Sequence, residues 1–351
     1  MTHLWVRAEQ RANEDRVGLT PEGARALVAA GIRVTVETSR TRAIGIDGYR
    51  EAGCEIAPEN GWPDAPAGAI VFGLKELPED GSPLRHRHIM FGHAFKGQHS
   101  GKLLLDRFRA DGGTLYDLEY LVDETGRRVA AFGYWAGYAG AAVALKAWAA
   151  QRQGGICAPV GAYPGKDALC AELVRELDAL GQARPRVIVI GALGRVGSGA
   201  ADLCEAVAAP VTRWDMAETA HGGAFPEILD HDVFLNCIFA RPGTPVFVAR
   251  SALCAPRRLR VIGDIACDPD SDYNPVPVYD RATTWDAPAR RVHDDPPLDV
   301  MAIDNLPSML PVESSRDYAA QLLPALLTLG DLEAGVWGRA KAVFDEQMKG
   351  S

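Results

Sequence analysis

A lysine and a histidine each follow a short apolar segment in the first half of the chain. Lys75 comes directly after residues 69–74, and His93 comes directly after residues 88–92. Ligands of open parallel sheets gather beyond the carboxyl ends of the strands, so we expect both side chains to face one cleft. An imidazole and a lysine both suit proton transfer. The alternative interpretation is a solvated loop lysine and a hydrogen-bonded core histidine.

Cationic side chains occur in the same part of the sequence, namely Arg16, Lys96, Arg127 and Arg128. Guanidinium groups bind carboxylates through paired hydrogen bonds, so several of them facing a cleft indicate a polycarboxylate ligand. Arg127 and Arg128 have an alternative interpretation as a surface pair at the entrance of a helix. Glu119 would accept a hydrogen bond from an ammonium group or tune the proton-transfer pair, or it would simply be solvated.

A glycine-rich turn in the second half of the chain is typical of nucleotide binding. The apolar run 187–190 is followed by Gly191, Ala192, Gly194 and Gly197. The spacing is that of the dinucleotide fingerprint, with Ala192 in place of its first glycine. Gly194 would let the backbone approach a pyrophosphate, and Gly197 would let the following helix lie close to the strand. A purely structural turn is the alternative.

Asp215 follows the next predicted strand, about 20 residues further on, where such folds carry an acid. Its carboxylate would bind the ribose hydroxyls and repel a 2′-phosphate, so NAD is favoured over NADP. Arg213, two residues earlier, keeps NADP open. The cysteines and histidines lack metal-ligand spacing, and no nucleophile motif occurs. A nucleotide loop with two proton-transfer groups and no metal predicts hydride transfer.

The elements that must position these residues form two alternating series, which predict an α/β fold of parallel sheets with crossover helices. The predicted strands are residues 4–6, 34–37, 69–74, 88–92, 114–118, 186–190, 211–214, 233–236, 259–262 and 300–303. The predicted helices are residues 21–30, 47–52, 131–150, 166–180, 197–208 and 332–347, with further helix up to about residue 329. The insert 256–297 is too irregular to interpret as a whole.

The length of 351 residues predicts two domains, because one hydrophobic core stops growing at roughly 250–300 residues. We expect residues 1–135 with 322–351 to form a substrate-binding and catalytic domain, and residues 136–321 to form the NAD-binding domain. The last helix would then pack back on the first domain. The uncharged run 129–145 is 17 residues long, which is short for a membrane span and predicts a buried helix.

Charge and cysteine usage restrict partners and location. Lys and Arg number 37 against 46 Asp and Glu, and the net charge of −9 argues against nucleic acid or an anionic membrane as the main partner. The seven cysteines include no CxxC pair, and no secretory signal is visible at the start. A cytoplasmic protein acting on a small molecule is therefore predicted, with its oligomeric state open and a monomer included.

Several stretches resemble the lysine-forming saccharopine dehydrogenases, within the superfamily of alanine dehydrogenase and nicotinamide transhydrogenase. They are residues 15–21, 73–76, 91–96, 113–119, 127–137, 191–199, 214–219, 274–279 and 306–311. Together they extend over nearly the whole chain. The stretches around Lys75 and His93 point only to the superfamily, whereas 127–137 and 214–219 are specific to the saccharopine branch.

The resemblance implies two Rossmann-like domains with the active site in the cleft between them, and NAD-dependent cleavage of saccharopine to lysine and 2-oxoglutarate. Lys75 would take the proton of the secondary amine, and His93 would move protons during imine hydration and carbinolamine collapse. The implied substrate contacts are Arg16, Lys96, Glu119, Arg128 and Phe132. The implied cofactor contacts are Arg127, Gly194, Arg195, Gly197, Asp215, Thr219, Phe239 and Asp304.

One position departs from the resemblance. Asn305 stands where the familiar saccharopine enzymes have a histidine after the aspartate, so a neutral amide replaces an imidazole that can carry charge. Asparagine is closer to the alanine dehydrogenase pattern. Two enzymatic alternatives therefore remain: reductive amination of another oxo acid, or a related opine-type dehydrogenase. A nucleotide-sensing module without catalysis is a third alternative, and intact Lys75 and His93 argue against it.

Overall fold

The computed structural model describes residues 1–95, 99–181 and 183–349, and it divides the chain into two compact units. Unit 1 takes in the described residues of 1–131 and 311–351, and unit 2 is Phe132–Leu310. Unit 1 is thus built from two separate stretches of sequence. The expected boundaries at residues 135 and 321 fall inside helices Gly133–Arg152 and Pro311–Leu326. The assignment of substrate and cofactor to these units stays a prediction.

The strands and helices are numbered along the chain. The strands of unit 1 are β1 (His3–Val6), β2 (Arg33–Glu37), β3 (Glu55–Ala57), β4 (Ile70–Phe72), β5 (Arg87–Met90) and β6 (Thr114–Asp117). The strands of unit 2 are β7 (Val187–Ile190), β8 (Val211–Trp214), β9 (Val233–Asn236), β10 (Val261–Asp264), β11 (Arg290–Asp294) and β12 (Pro297–Met301). The helices are α1 (Pro21–Ala29), α2 (Asp47–Glu51), α3 (His99–Asp111), α4 (Gly133–Arg152), α5 (Lys166–Asp178), α6 (Arg195–Ala206), α7 (Met216–Thr219), α8 (Pro226–Leu229), α9 (Pro311–Leu326) and α10 (Gly335–Lys349).

The sheet of unit 1 has the strand order β3-β2-β1-β4-β5-β6, and every pair in it is parallel. This is the order of a doubly wound Rossmann sheet. The order reverses between β1 and β4, so the loops after these two strands leave the sheet side by side. Ligands of such sheets bind at this point of reversal.

The sheet of unit 2 has the order β11-β12-β10-β9-β7-β8. Its pairs are parallel except β11, which runs antiparallel to β12. The predicted α/β class with parallel sheets is therefore confirmed, with one antiparallel edge strand added. The order reverses between β7 and β9, so the glycine turn after β7 lies at the corresponding position of this unit.

Five elements were not predicted, namely β3, α3, α7, α8 and β11, and two predicted strands are displaced along the chain. The strand predicted at 259–262 is β10, and the one predicted at 300–303 is β12. Polar side chains explain both misplacements. Asp264 is the last residue of β10 and is buried in the core. Its carboxylate is accommodated there because Asn236 and Tyr279 donate hydrogen bonds to it at 2.9 and 2.7 Å. Arg291 of β11 pairs with buried Asp299 of β12 at 2.5 Å, so no apolar pattern marks this hairpin.

Helix α4 lies in the core of unit 2 and contacts α6 at backbone distance. A Cβ atom on Gly137 would lie 1.8 Å from the carbonyl oxygen of Val196, and one on Gly199 would lie 1.9 Å from that of Tyr134. Only glycine allows helices to approach this closely. Most residues of α4 from Gly137 onward are buried, as predicted. In the described part of the chain, no helix has the length and apolarity needed to cross a membrane.

The core of unit 1 contains a buried histidine, His88. His88 of β5 is 1% exposed, and its ring meets Trp62 and Phe108 edge-on at centroid distances of 5.3 and 5.5 Å. Within the described residues neither ring nitrogen of His88 has a partner. Burial, reinforced by the charges of Arg7 and neighbouring groups, lowers the pKa of His88 well below its ordinary value. The imidazole is therefore neutral in the folded state.

We predict that His88 makes unit 1 less stable in acid. Below about pH 6.5 the unfolded chain takes up a proton at this histidine and the folded chain does not, so stability falls as the pH falls. The variant His88→Met has no titratable group at this position, so this loss of stability at low pH disappears. Between pH 7.5 and 5.5 the free energy of unfolding, measured by urea denaturation, should fall by about 1.4 kcal/mol more in the wild type than in His88→Met. The exposed His99→Gln variant should follow the wild type, and a His88→Met profile parallel to the wild type would contradict the prediction.

Candidate active site

The loop after β4 is fixed by two charged residues that follow β1. The Glu9 carboxylate accepts the backbone N–H groups of Leu74 and Lys75 at 2.6 and 3.0 Å. The Arg7 guanidinium donates to the Lys75 carbonyl and lies 3.4 Å from Glu9. A Cβ atom on Gly73 would lie 2.4 Å from Arg7 Cζ, so a larger residue would displace this guanidinium. Lys75 is thus held at both of its backbone polar groups, with its side chain half-buried.

Arg16 lies in the same region of unit 1, in a buried pair with Glu14. Its Nε and Nη2 atoms donate to the two carboxylate oxygens of Glu14 at 2.7 and 2.5 Å. Burial raises the pKa of Glu14, but Arg16 and the nearby charge of Lys75 bring it below its ordinary value. Arg16 is only 2% exposed. Its predicted contact with a substrate carboxylate therefore requires Glu14 or its surroundings to move.

His93 follows β5 in a left-handed backbone conformation, with φ of 48°. Its Nδ1 atom lies 3.6 Å from Glu76 Oε2, and Arg11 lies 3.4 Å from the other oxygen of this carboxylate. Burial raises the pKa of Glu76, but His93, the local backbone and Arg11 together lower it to about 2. Glu76 is therefore an anion beside the imidazole. Glu76 was not predicted as a site residue, although it directly follows Lys75.

Asp117, at the end of β6, supports the backbone beside His93. Its carboxylate accepts the N–H groups of Gly92 at 3.2 Å and Glu119 at 2.9 Å. Burial, together with the charge of Glu119, raises the pKa of Asp117 to about 6 despite these hydrogen bonds. Glu119 in turn lies 3.5 Å from Arg128. Asp117 thus links the backbone next to His93 to that of Glu119, whose side chain pairs with Arg128.

Tyr318 of α9 was not predicted and lies among these groups. It is buried, which raises its pKa, and the charges of Arg16 and Arg128 act to lower it. The Phe91 ring is 6.1 Å from that of Tyr318 and is stacked with His93 at 6.2 Å. The C-terminal segment therefore contributes directly to this cluster. The predicted boundary at residue 321 left Tyr318 in the other domain, and no sequence signal pointed to it.

Arg127 and Arg128 lie in an exposed turn. Asp123 accepts the backbone N–H of Arg127 at 3.0 Å, and residues Val122 and Arg128 form an antiparallel bridge. Helix α4 begins only at Gly133. The two arginines are thus a surface pair, as in the alternative interpretation, and residues 129–132 separate them from the start of α4. Lys96, predicted to bind substrate, lies outside the described residues.

In unit 2, the turn after β7 has the close packing that the dinucleotide fingerprint requires. Gly191 has φ of 87°, and a Cβ atom on Gly197 would lie 2.1 Å from the Gly191 carbonyl oxygen. Gly194 is different, because a Cβ atom there would find its nearest neighbour at 3.4 Å, on the open side of the turn. Arg195, the exposed first residue of α6, follows directly. Backbone N–H groups at the N-terminus of a helix such as α6 suit a pyrophosphate.

Asp215 connects this turn to the end of β8. One carboxylate oxygen accepts the N–H of Leu193 at 2.9 Å, and the other accepts that of Met216, also at 2.9 Å. The Thr219 hydroxyl donates to the Asp215 carbonyl at 2.9 Å. Arg213 pairs with Glu205, so its charge has a carboxylate partner. The arrangement favours a nucleotide whose ribose lacks a 2′-phosphate.

Three further predicted contacts are placed as follows. Phe239 follows β9 with 70% of its surface exposed, which leaves its ring available to a planar group. Asp304 is exposed, and the Asn305 side chain beside it donates to Ser308 at 2.7 Å. Phe132 is half-buried and directly precedes α4. Among the described residues, no cluster of three histidine, cysteine, aspartate or glutamate side chains is placed to hold a metal ion.

Comparison with known proteins gives close relatives of nearly full length. The chain is 47% identical to a saccharopine dehydrogenase [NAD(+), L-lysine-forming] of Neurospora crassa over 99% of this chain and 96% of the relative. It is 42% identical to the protein of the same description from Schizosaccharomyces pombe, over 99% of this chain and 98% of the relative. These identities extend across both units.

A family model and a solved structure agree with these relatives at a broader level. The model for the N-terminal domain of alanine dehydrogenase/PNT matches residues 5–139. An L-alanine dehydrogenase structure superimposes with a TM-score of 0.68 at 18% identity, over 98% of this chain and 94% of the other. At this identity the likeness shows the fold alone.

The glycine turn yields a prediction that separates packing from nucleotide contact. Gly197→Ala forces a methyl group against the Gly191 carbonyl and should lower the free energy of unfolding by about 2 kcal/mol. Gly194→Ala has room and an ordinary φ of −76°, so stability should change by less than about 1 kcal/mol. Its methyl group would nevertheless stand where a pyrophosphate approaches, so the Kd for NADH, measured by fluorescence titration, should rise about tenfold. An unchanged Kd in Gly194→Ala would contradict this role.

Proposed function

The chain belongs to the family of NAD-dependent, L-lysine-forming saccharopine dehydrogenases, and on this premise we propose that it converts saccharopine, NAD⁺ and water to L-lysine, 2-oxoglutarate and NADH, reversibly. The observation that carries the proposal is identity of 47% over 99% of the chain to a relative of that description. The enzyme is then an oxidoreductase acting on a C–N bond. A small-molecule substrate and a cytoplasmic location form part of the proposal.

The charges of unit 1 support a tricarboxylate substrate. The charges of Arg16 and Arg128 both act on the pKa of buried Tyr318, and the charge of Lys75 acts on the pKa of Glu14. These cations therefore lie near one another, although the whole chain carries a net charge of −9. Saccharopine brings several carboxylates, which would compete with Glu14 and Glu119 for these guanidinium groups. We assign substrate contact to Arg16, Lys96, Glu119, Arg128 and Phe132.

The residues of unit 2 fit the dinucleotide. Gly194 and Gly197 leave space at the turn, and Asp215 carries an acceptor for ribose hydroxyls beside it. We assign further contacts to Arg127, Arg195, Thr219, Phe239 and Asp304. When bound, NAD⁺ supplies the acceptor for the hydride that leaves the substrate carbon. Asn305, where the familiar enzymes have histidine, would offer only a neutral amide.

Lys75 is proposed to accept the proton of the secondary amine as the C–H bond breaks, which leaves a C=N double bond. The hydrogen bonds between its backbone and the side chains of Glu9 and Arg7 fix the position of the Lys75 backbone. Positioning of this kind contributes to proton transfer because the base must stay within hydrogen-bond reach of the nitrogen. Lys75 thus serves the first half of the reaction.

His93 is proposed to serve the second half. It would take a proton from the water that adds to the imine carbon and deliver one to the nitrogen as the C–N bond breaks, releasing lysine and the carbonyl of 2-oxoglutarate. The Glu76 anion beside Nδ1 stabilises the imidazolium that forms between these steps. Asp117 holds the backbone of the preceding Gly92.

Turnover tests the proposal directly. We predict that purified protein with NAD⁺ and saccharopine forms NADH, followed at 340 nm, and that lysine, 2-oxoglutarate and NADH react in reverse. Arg128→Ala should raise the KM for saccharopine at least roughly tenfold, because a guanidinium–carboxylate pair is lost. Turnover of alanine, or of pyruvate with ammonia, and none of saccharopine would refute the substrate assignment.

Lys75→Met tests the assigned base. The variant should lose at least about a hundredfold in kcat, because general-base catalysis contributes on this scale. Its Kd for NADH should stay within about twofold of wild type, since Lys75 acts on the substrate proton. Lys102→Met, an exposed lysine of the same unit, is the matched control and should retain wild-type kcat. An equal loss of NADH affinity in Lys75→Met would show that the assignment is wrong.

A further inference from the structure

Unit 2 carries a pocket at the edge of its sheet opposite to the glycine turn. Arg260 directly precedes β10, and Asp232 directly precedes β9, so both lie at the amino ends of parallel strands. The pocket has a volume of about 370 Å³, within the range of small-ligand sites. Its charged and aromatic lining consists of Arg152, Arg184, Arg257, Arg258, Arg260 and Trp148, together with Asp232. We call it the arginine pocket.

Positive charge in the arginine pocket exceeds the negative charge available to it. Arg258 lies 3.3 Å from Asp232, and Arg184 pairs with Asp178 outside the lining. Within the described residues, Arg152 and Arg260 have no carboxylate at ion-pair distance. Burial and the charge of Arg260 lower the pKa of Arg257, as expected where guanidinium groups crowd together. This surplus stands out in a chain of net charge −9.

Three buried donors of the same lining have no acceptor. Trp148 Nε1, Arg184 Nη1 and Arg260 Nη1 are buried and make no hydrogen bond within the described part of the chain. Trp148 as a whole is only 8% exposed. Buried polar groups are normally satisfied, so three unsatisfied donors around one pocket need an explanation. An acceptor carrying negative charge is the kind of partner that such donors lack.

Structural roles account for part of the lining and leave these donors unexplained. Arg257 donates to the carbonyl groups of Leu259 and Pro297, which ties the segments before β10 and at β12 together. Arg152 lies in the last turn of α4, where the helix dipole favours a cation. Neither role involves Trp148 Nε1 or the guanidinium of Arg260.

We propose that the arginine pocket binds a compact dianion with oxygen acceptors, either a phosphate group or a dicarboxylate. Such an anion accepts several N–H groups at once and matches the fork of a guanidinium. The pocket offers donors from two guanidinium groups and an indole, and Asp232 is already paired with Arg258. The site is separate from the residues assigned to saccharopine and NAD.

Calorimetric titration of the intact protein with inorganic phosphate and with malonate tests this site. Ionic strength is held constant with sodium chloride, so a general salt effect gives no signal. We expect wild type to bind at least one of the two anions, and the anion that binds identifies the source. Trp148→Phe removes one donor and keeps an aromatic ring, and Arg260→Gln removes the charge. Each should weaken binding at least roughly tenfold.

The exposed Arg250→Gln variant, outside the pocket, is the control and should bind as wild type does. Trp148→Phe keeps the test valid if Arg260→Gln fails to fold. Binding of neither anion by wild type would overturn the proposal. Equal binding by wild type and Trp148→Phe would overturn it as well, because the anion would then sit elsewhere.

Discussion

Backbone contact between α4, α6 and the glycine turn is the constraint on which unit 2 depends. Gly137, Gly197 and Gly199 each occupy a place where a single methyl group would meet a carbonyl oxygen at about 2 Å. The helix after β7 can therefore approach the strand and α4 at once. This approach directs the first turn of α6 toward the open side at Gly194, where an anion can reach the backbone N–H groups.

In unit 1 the corresponding constraint is electrostatic. Buried or half-buried carboxylates bind the backbone of the loops that carry the reactive side chains: Glu9 holds the Lys75 loop, and Asp117 holds the loop before His93. Burying such charges is unfavourable unless they are paired and hydrogen-bonded, and here each accepts backbone N–H groups. The backbone beside Lys75 and His93, the residues proposed to transfer protons, is consequently fixed after the adjacent strands β4 and β5.

Most of the candidate site was predictable because its signals are local in sequence. Lys75 and His93 follow neighbouring apolar strands of the unit 1 sheet, whose parallel order brings such positions to one edge of that sheet, and the turn at Gly194 follows an apolar strand of unit 2. The residues that support them were not predictable in this way. Tyr318 belongs to a helix near the C-terminus, and Arg7, which follows β1, donates to the carbonyl of Lys75, which follows the neighbouring strand β4. Contacts between residues so far apart in sequence leave no pattern along the chain. The β11–β12 hairpin was missed because ion pairing, not apolar alternation, stabilises it.

The sequence by itself determined the α/β class, because strand periodicity and glycine spacing are properties of neighbouring residues. It also predicted a nucleotide turn and the pair Lys75 and His93 for proton transfer. Tertiary structure alone decided which charges are paired. In the folded chain, Glu14 pairs with Arg16, Glu205 pairs with Arg213, and Glu76 lies beside His93. The Arg260 guanidinium has no carboxylate partner within the described chain. The physical reason is that pairing and burial depend on distances between residues far apart in sequence, which only the folded chain specifies.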